Sequence, residues 1–368
     1  MKKIALFGYY GQNNLGDDLI METIINRINQ KYPDSKITVY GSGQSLVVGE
    51  KTYETISKKS IKGMLSLLSN DIVVIGGGGL FPNKNIAKLK SFNLLTKILK
   101  FFRKQVYVIG IGIGVKNFED DNSIELLKKI ATRSDYFAAR HDIPKELNDF
   151  IVSSADVVLS DPVFDYNKEQ NQDKYVAFSL ANILPHIEAS NDIYNNFVNS
   201  IVEIAEFVLD RELNIKLLTF TGTDDEILNQ DLVRKIVDIR GKEILDKVEI
   251  VPYNNNIQEV INLINNASLN LCMRFHAVVI SIKTKSPLIS LSYSDKSEDL
   301  MRKVELERFS KKVGFSKNHY WNEFVDIDSN EINDLIEQVL KDDNEQLNHL
   351  EKHQENLVSL SNRNFDWM

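Results

Sequence analysis

Residues 268–296 read SLNLCMRFHAVVISIKTKSPLISLSYSDK, and this stretch decides the fold class. The apolar run from Leu269 to Met273 predicts a buried strand, and the apolar run that leads into Tyr293 predicts a second one. The residues between the two runs predict a helix. A strand, a helix and a second strand in this order form the repeating unit of a parallel sheet.

Charged side chains stand at both strand ends of this unit. Arg274 and His276 follow the first strand and open the helix. Asp295 and Lys296 follow the second strand. A helix start offers unpaired N–H groups to an anion, arginine adds a planar fork for phosphate or carboxylate, and histidine exchanges a proton near neutral pH. The stretch therefore predicts a site for anion binding and proton transfer at one edge of a sheet.

The composition is that of a soluble globular protein. The chain has 368 residues, of which 43% are hydrophobic and 26% charged, so we expect two domains. A formal charge of −8 argues against a nucleic-acid surface. The single cysteine, Cys272, lies in an apolar run, which predicts a core thiol in a reducing compartment. No segment reaches the ~20 apolar residues that span a bilayer, so we expect a cytoplasmic protein.

Short apolar runs alternate with amphipathic patterns along the whole chain. The runs predict strands at residues 3–7, 37–40, 72–75, 106–109, 136–139, 175–180, 215–220, 248–251 and 269–273. The patterns between them predict helices at residues 19–28, 89–102, 124–131, 193–209, 224–239 and 257–264. This alternation is typical of parallel sheets with helices on both faces.

The segment at residues 167–174 has no apolar residue and predicts a linker. We therefore expect an α/β protein with two Rossmann-like, doubly wound parallel-sheet lobes that face a cleft. The lobes would comprise residues 1–170 and 171–325, and residues 326–368 predict helices that brace them. In such folds ligands bind outside the carboxyl ends of the strands.

The first predicted strand is followed by GYYGQNNLGDD at residues 8–18, which opens a helix. Its glycines allow a ligand to approach the backbone, and Asn14, Asp17 and Asp18 are candidate partners for hydroxyl groups. The spacing is not that of a dinucleotide fingerprint. The alternative is helix capping, since carboxylates in a first turn interact favourably with the helix dipole.

Two further glycine-rich segments follow predicted strands. The four consecutive glycines at residues 76–79 exceed what a turn needs, which favours close approach of a ligand or of the other lobe. The GIGIG sequence at residues 110–114 also lacks the dinucleotide spacing. Packing against a neighbouring helix explains this second segment equally well.

Arg140 ends a predicted strand and is a candidate anion clamp, with a surface ion pair as the alternative. Asp161-Pro162 favours a turn. His349 and His353 have the i,i+4 spacing of metal ligands, but they lie in a polar helix without the glutamate of an HExxH motif. We therefore expect no metal site and no cofactor.

Taken in chain order, these segments resemble the polysaccharide pyruvyl transferase family over nearly the whole sequence. The matching positions are Asn13–Asp18, Asp71–Gly79, Gly110–Gly114, Asp161-Pro162, Arg274–Ala277 and the group of Pro287, Tyr293 and Lys296. An Arg-Asp motif of the family matches imperfectly, because His141 separates Arg140 from Asp142 and the serine expected shortly after them is missing.

The resemblance implies a GT-B-like fold and transfer of the enolpyruvyl group of phosphoenolpyruvate onto two hydroxyls of a sugar. The reaction would form a pyruvate ketal and release phosphate. His276 would be the general acid that protonates the methylene carbon. Arg140, Arg274 and Lys296 would hold the carboxylate and phosphate of this co-substrate.

On the acceptor side, the resemblance implies that Asp17 or Asp18 orients or deprotonates the sugar. The acceptor-binding residues would be Asn14, Gly16, Gly77 and Gly78. The acceptor would belong to an exopolysaccharide, a capsule or another cell-envelope polysaccharide. Free, nucleotide-linked and lipid-pyrophosphate-linked acceptors all remain open.

A lipid-linked acceptor would place the protein at the inner face of the membrane. A candidate peripheral contact is the cluster of Lys97, Lys100, Phe101, Phe102, Arg103 and Lys104. An ordinary helix end, where cations complement the dipole, is the alternative. Two competing functions are a GT-B glycosyltransferase that uses a nucleotide sugar and a catalytically silent sugar-binding protein.

Overall fold

The computed structural model describes residues 1–43, 45–48, 51–58, 60–81, 86–113, 121–140, 143–161, 174–182, 191–314 and 325–368. The chain forms two compact units. Unit 1 comprises Met1–Phe164 and Asn356–Met368, and unit 2 comprises Asp165–Glu355. The linker predicted at residues 167–174 lies outside the described residues except for Lys174.

Unit 1 is an α/β unit built on one sheet. Its strands are β1 (Lys3–Phe7), β2 (Lys36–Gly41), β3 (Ser45–Val48), β4 (Lys51–Ser57), β5 (Ile72–Gly78), β6 (Gln105–Gly112), β7 (Tyr136–Arg140) and β8 (Val152–Ser154). Its helices are α1 (Leu15–Lys31), α2 (Ile61–Ser66), α3 (Ile86–Phe101) and α4 (Asp121–Arg133). The strand order is β3-β4-β2-β1-β5-β6-β7-β8, and the described pairings are parallel except that of β3 with β4.

The centre of this sheet contains a topological switch point. Strands β1 and β5 are neighbours, and the chain leaves β1 toward β2 but leaves β5 toward β6 on the other side. Every residue of β5 is buried, as expected for a central parallel strand. The segments that follow β1 and β5 therefore meet where ligands bind in such folds.

Unit 2 has a second, fully parallel sheet. Its strands are β9 (Tyr175–Ser179), β10 (Asn214–Leu218), β11 (Val248–Val251), β12 (Leu269–Cys272), β13 (Leu288–Ser292) and β14 (Ser310–Lys312). The helices that follow in chain order are α5 (Asn191–Leu209), α6 (Gly222–Arg240), α7 (Ile257–Asn266), α8 (Phe275–Thr284), α9 (Asp295–Lys303), α10 (Ser329–Lys341) and α11 (Asn344–Asn362).

The strand order of unit 2 is β11-β10-β9-β12-β13-β14. This is the 3-2-1-4-5-6 order of a Rossmann fold, with its switch point between β9 and β12. The stretch at residues 268–296 forms β12, α8 and β13, as its sequence predicted. The two sheets confirm the predicted α/β class with two Rossmann-like lobes.

The C-terminal residues return to unit 1. Helix α11 begins in unit 2, and its last residues belong to unit 1. Beyond it, the buried Asn364 side chain donates to Ala155 O at 2.9 Å and accepts from Gly110 N at 2.9 Å. The Trp367 ring stacks on Tyr107 with their centroids 4.1 Å apart. The end of the chain is therefore part of the core of unit 1.

Among the described residues, no helix has both the length and the apolar character needed to cross a bilayer.

Candidate active site

The switch point of unit 1 brings Asp17 to the end of β5. Asn14 caps α1 by accepting a hydrogen bond from Asp17 N at 3.2 Å. A Cβ atom added to Gly78 would overlap Asp17 Oδ1, so this carboxylate lies directly against the glycine backbone. Burial lowers the pKa of Lys88 in α3, and the negative charge of Asp17 opposes that shift. Asp17 and Lys88 are both partly exposed, so the carboxylate is accessible to a substrate.

Asp18 has different surroundings. Its side chain is fully buried and accepts a hydrogen bond from Gly11 N at 2.9 Å. The neighbouring Tyr10 hydroxyl donates to Gly76 O at 2.8 Å. Burial, followed by the charges of Asp17 and Asp18, raises the pKa of Tyr10 well above its usual range. Asp18 thus holds the loop after β1, whereas Asp17 faces outward.

The glycine run at the end of β5 allows helix α1 to pack closely against the strand. A Cβ atom on Gly76 would lie 2.7 Å from Ile24 Cδ1, and one on Gly77 would overlap Ile20 Cγ2. Gly77 also has a φ of +76°, which side chains disfavour. The close approach is therefore to a helix of the same unit, whereas the sequence favoured close approach of a ligand or of the other lobe. Gly16, in the first turn of α1, is buried as well.

The GIGIG segment is explained by packing at its first glycine. Gly110 has a φ of +64°, and a Cβ atom there would lie 2.9 Å from Val157 Cγ1 in the short 3-10 helix Val157–Ser160. The packing alternative therefore accounts for this position. Gly114 lies outside the described residues.

A cavity of about 400 Å³ opens beside the loop that follows β1. Its wall includes Tyr9, which is 46% exposed, and the amide side chains of Gln12 and Asn13. Lys58 Nζ donates to Gly8 O at 2.6 Å and lies 4.8 Å from the Tyr9 ring centroid. An aromatic face beside amides and a cation suits a polar ligand with an apolar face, such as a sugar.

Arg140 lies at the end of β7 in unit 1. Its side chain is only 3% exposed and forms an ion pair with Asp156. Asp156 also accepts from Val158 N at 3.1 Å, which caps the 3-10 helix. The ion pair expected as the alternative is therefore present, but it is buried and not on the surface. The neighbouring His141 and Asp142, like Pro162, lie outside the described residues.

Arg274 occupies the switch point of unit 2. Its backbone N–H donates to Ser179 O at 3.0 Å, which joins the ends of β12 and β9. Its guanidinium donates twice to Asp225, with Nε 3.2 Å from Oδ2. Asp225 is fully buried and also accepts from Phe220 N at 3.0 Å and Thr221 N at 2.8 Å. The arginine fork is thus fixed from the end of β10.

The charge of Arg274 is stabilised within this network. Burial alone would lower the pKa of the guanidinium, but the charge of Asp225 and a smaller contribution of Tyr293 raise it overall. The side chain remains 19% exposed. The structure therefore presents an oriented, permanently cationic group at the sheet edge.

His276 and Lys296 lie at the same edge of unit 2. His276 is in the first turn of α8, partly exposed, with its ring edge-on to Phe275 at 5.3 Å between centroids. Lys296 is in the first turn of α9 and is also partly exposed. Because β12 pairs in parallel with β13, the starts of α8 and α9 are adjacent. The structure thus brings together Arg274, His276 and Lys296, whereas Arg140 belongs to unit 1.

Three residues of these sites were missed by sequence reasoning: Lys58, Lys88 and Asp225. Asp225 follows a predicted strand and stands in the first turn of a predicted helix. Its position at a strand end was the signal that could have marked it. The lysines carry no comparable local pattern, because they reach their sites through the fold.

Comparison with known proteins now places the chain. A family model described as polysaccharide pyruvyl transferase matches residues 14–295, which is more than half of the sequence. The chain belongs to the polysaccharide pyruvyl transferase family. It is therefore an enzyme of that kind, and the matched region contains Asp17, Arg274 and His276 but ends just before Lys296. A search of curated proteins found no match.

Three solved structures with a similar fold were determined with UDP or UDP-GlcNAc. UDP-GlcNAc 2-epimerase from Neisseria meningitidis bound to UDP-GlcNAc has a TM-score of 0.57 at 12% identity, covering 99% of this chain and 98% of that one. S. aureus MnaA with UDP has a TM-score of 0.57 at 11% identity, covering 98% and 92%. Anabaena HepE with UDP and glucose has a TM-score of 0.55 at 10% identity, covering 100% and 96%. These likenesses show a GT-B-like fold.

Proposed function

We propose that the enzyme transfers the enolpyruvyl group of phosphoenolpyruvate onto two hydroxyls of a sugar, forming a pyruvate ketal and releasing phosphate. Family membership supports pyruvyl transfer to a polysaccharide precursor. The proposed binding of phosphoenolpyruvate in unit 2 rests on one observation. Arg274, His276 and Lys296 are grouped outside the ends of β12 and β13. Two cations and a proton donor suit a substrate with a phosphate, a carboxylate and a carbon to be protonated.

The residues that contact phosphoenolpyruvate have separate roles in this mechanism. Arg274, oriented by Asp225, and Lys296 bind the phosphate and carboxylate, assisted by the N–H groups at the start of α8. The His276 imidazolium gives its proton to the methylene carbon, which becomes a methyl group. The neighbouring carbon becomes an oxocarbenium-like centre, and the first sugar hydroxyl attacks it and loses its proton to a base. Phosphate then leaves with its bonding electrons, which makes the same carbon oxocarbenium-like again. The second hydroxyl attacks this carbon and loses its proton to the departing phosphate, which closes the ketal.

On the acceptor side we propose Asp17 as the group that orients or deprotonates the sugar hydroxyl. Asp18 is buried against Gly11 N and stabilises the loop, so it is the weaker of the two candidates. The cavity beside Tyr9 and Lys58 offers a stacking face for the acceptor. Asn14 and the glycine run contribute by fixing Asp17 in place. Arg140 stays a candidate phosphoenolpyruvate ligand, which requires the substrate anion to exchange with its Asp156 partner.

The test is phosphate release from phosphoenolpyruvate in the presence of a panel of acceptors. Free sugars, nucleotide sugars and lipid-pyrophosphate-linked sugars are compared, and the ketal is identified by mass spectrometry. Removing a general acid costs about 10²–10⁴-fold in rate, so His276→Ala should lose activity by that factor. Lys296→Ala should raise the KM for phosphoenolpyruvate, while Lys303→Ala at the other end of α9 should not. Undiminished phosphate release by His276→Ala contradicts the mechanism.

The second candidate function is a glycosyltransferase or related enzyme that uses a nucleotide sugar. The observation that favours it is the likeness to structures determined with UDP. Thermal stabilisation separates the two functions, because a ligand that binds only the folded state raises Tm. Stabilisation by phosphoenolpyruvate supports pyruvyl transfer. Stabilisation by UDP alone, with no phosphate release from phosphoenolpyruvate, supports the alternative.

We also propose a peripheral contact with an anionic membrane through the end of α3. The exposed apolar side chains of this helix, Leu94 (57% exposed), Ile98 (40%) and Phe101 (79%), recur on one face, and Phe102 (50%) follows in the next turn. Lys97 and Arg103 are exposed beside them, whereas Lys100 pairs with Asp135 at 2.8 Å. An apolar stripe rimmed by cations suits the interface of an anionic bilayer.

Vesicle sedimentation tests this contact. The protein should bind vesicles that contain phosphatidylserine and bind neutral vesicles less. Phe101→Glu should abolish binding, whereas Ile61→Glu, which changes another exposed residue on α2, should not. Equal sedimentation of both variants would rule out the α3 surface as the contact.

A further inference from the structure

Three side chains of types that bind metal ions form a cluster between α11 and the end of α9 in unit 2. Glu305 follows the end of α9, and its Oε2 lies 3.3 Å from His349 Nδ1 and 3.3 Å from His353 Nε2, both on α11. These ligand atoms all lie within 4.8 Å of one another. All three residues belong to unit 2.

The two imidazole nitrogens are buried without a hydrogen bond. Among the described residues, neither His349 Nδ1 nor His353 Nε2 has a hydrogen-bond partner, although both atoms are shielded from solvent. The carboxylate oxygen lies near each nitrogen, but not along a hydrogen-bonding direction. Two ligand atoms at 2.0–2.2 Å from one tetrahedral metal ion lie about 3.3–3.6 Å apart. The observed separation of 3.3 Å fits a shared ion better than it fits two hydrogen bonds.

We propose that Glu305, His349 and His353 bind a divalent metal ion of the zinc type. Two imidazoles and one carboxylate form a ligand set that Zn²⁺ accepts, with water in the fourth position. The i,i+4 spacing places both histidines on one face of α11. Sequence reasoning discounted this pair because the helix has no glutamate in the HExxH order. The carboxylate comes instead from the turn after α9, which only the fold reveals.

Lys352 occupies part of this site. Its Nζ lies 2.6 Å from Glu305 Oε2. A glutamate side chain is deprotonated at neutral pH, so the Glu305 carboxylate is available as a ligand. Lys352 is 59% exposed, and its flexible chain allows the ammonium group to leave when an ion binds. The lysine therefore competes with the metal.

The ion would brace the helix that carries the donor lysine. Helix α9 begins with Asp295 and Lys296 at the proposed phosphoenolpyruvate site, and Glu305 lies just beyond its other end. A metal shared with α11 would fix this end to a second helix of unit 2. Its role is structural, and it takes no part in the chemistry at the sheet edge.

Zinc titration of the full-length enzyme tests the site. The protein is purified with a histidine-free tag, treated with a chelator and titrated with ZnCl₂ by calorimetry. We expect one ion per chain with a dissociation constant below about 10 μM, and a Tm rise of about 5–10 °C at 100-fold excess over that constant. Cobalt substitution should give the visible absorption of a four-coordinate ion.

Variants assign the ligands. His353→Ala and Glu305→Gln should each weaken zinc binding by at least about 30-fold, since each removes a direct ligand. Lys352→Met should strengthen binding by a few fold, because it removes the competitor. Glu351→Gln is the matched control, since this 56% exposed neighbour pairs with Lys285 at 3.8 Å and is not a member of the cluster.

Two outcomes would overturn the proposed zinc site, provided that the variants fold. Circular dichroism of the metal-free variants verifies that they fold, as expected for partly exposed residues. No zinc binding tighter than about 100 μM by the wild type overturns the proposal. Equal affinity of His353→Ala, Glu305→Gln and Glu351→Gln overturns it too, because the bound ion then lies elsewhere. None of these measurements depends on phosphoenolpyruvate, so they stand whatever the outcome of the activity assay.

Discussion

The Asp225→Asn substitution tests whether the donor arginine is held from β10. The substitution removes the charge that pairs with Arg274 but keeps an amide oxygen to accept from Phe220 N and Thr221 N. Losing one partner of a buried ion pair costs about 3–5 kcal/mol. Because Arg274 is 19% exposed and partly reached by water, we expect the lower end, about 3 kcal/mol.

The effect should appear as a shift in thermal unfolding. A domain of the size of unit 2 loses about 2–4 °C in Tm per kcal/mol, so Asp225→Asn should melt about 6–12 °C lower. The control is Asp224→Asn, which makes the same chemical change in the same first turn but on an exposed side chain. Differential scanning calorimetry measures the melting temperature of both variants.

A binding measurement separates orientation from stability. With the guanidinium no longer fixed, Asp225→Asn should weaken phosphoenolpyruvate binding at a temperature where the variant is folded, whereas Asp224→Asn should not. Equal melting temperatures for the two variants would refute the buried pair. A lower melting temperature with unchanged substrate affinity would show that Asp225 stabilises the unit without orienting the donor site.

Three other predictions concern buried residues that stabilise the two units. Gly77→Ala should lower the free energy of unfolding of unit 1 by about 2–4 kcal/mol in urea, because it adds a methyl group against Ile20 at a residue with positive φ. The control is Gly79→Ala, which should be neutral because the space around Gly79 is open. Burial raises the pKa of Cys272 to about 12. At pH 8 the folded protein should therefore have on the order of 1000-fold less thiolate at this position than an exposed cysteine has. DTNB should label Cys272 only after the protein unfolds. Asn364→Ala leaves Gly110 N and Ala155 O unpaired, so it should lower the free energy of unfolding by about 2–4 kcal/mol in urea. An unfolding free energy equal to that of the wild type would refute this expectation.

Most of the fold could be predicted from the sequence, because central parallel strands are continuous apolar runs. The predicted strands and helices all have counterparts in the structure. The strands that were missed are β3, β4, β8 and β14. They are short or mixed in polarity and lie in the outer parts of their sheets, where periodicity gives little signal.

The candidate site was predicted in part. Arg274, His276 and Lys296 were placed at one sheet edge from local order alone, and the strand pairing brings them there. The partner of Arg274 was not predicted, because Asp225 is distant in sequence and meets it only through the β9 and β10 pairing. Asp17 and Asp18 look equivalent in sequence, and only burial distinguishes their surroundings.

The C-terminal segment of unit 1 has a consequence for synthesis on the ribosome. Asn364 and Trp367 pack into a sheet whose strands are all made before unit 2 emerges. Unit 2 is continuous in sequence and all of its residues are made once Glu355 has been added, whereas unit 1 still needs Asn356–Met368. The unit translated first is therefore the one finished last. A stop codon before Asn364 should therefore destabilise the N-terminal unit, because Gly110 N and Ala155 O would lose their partner.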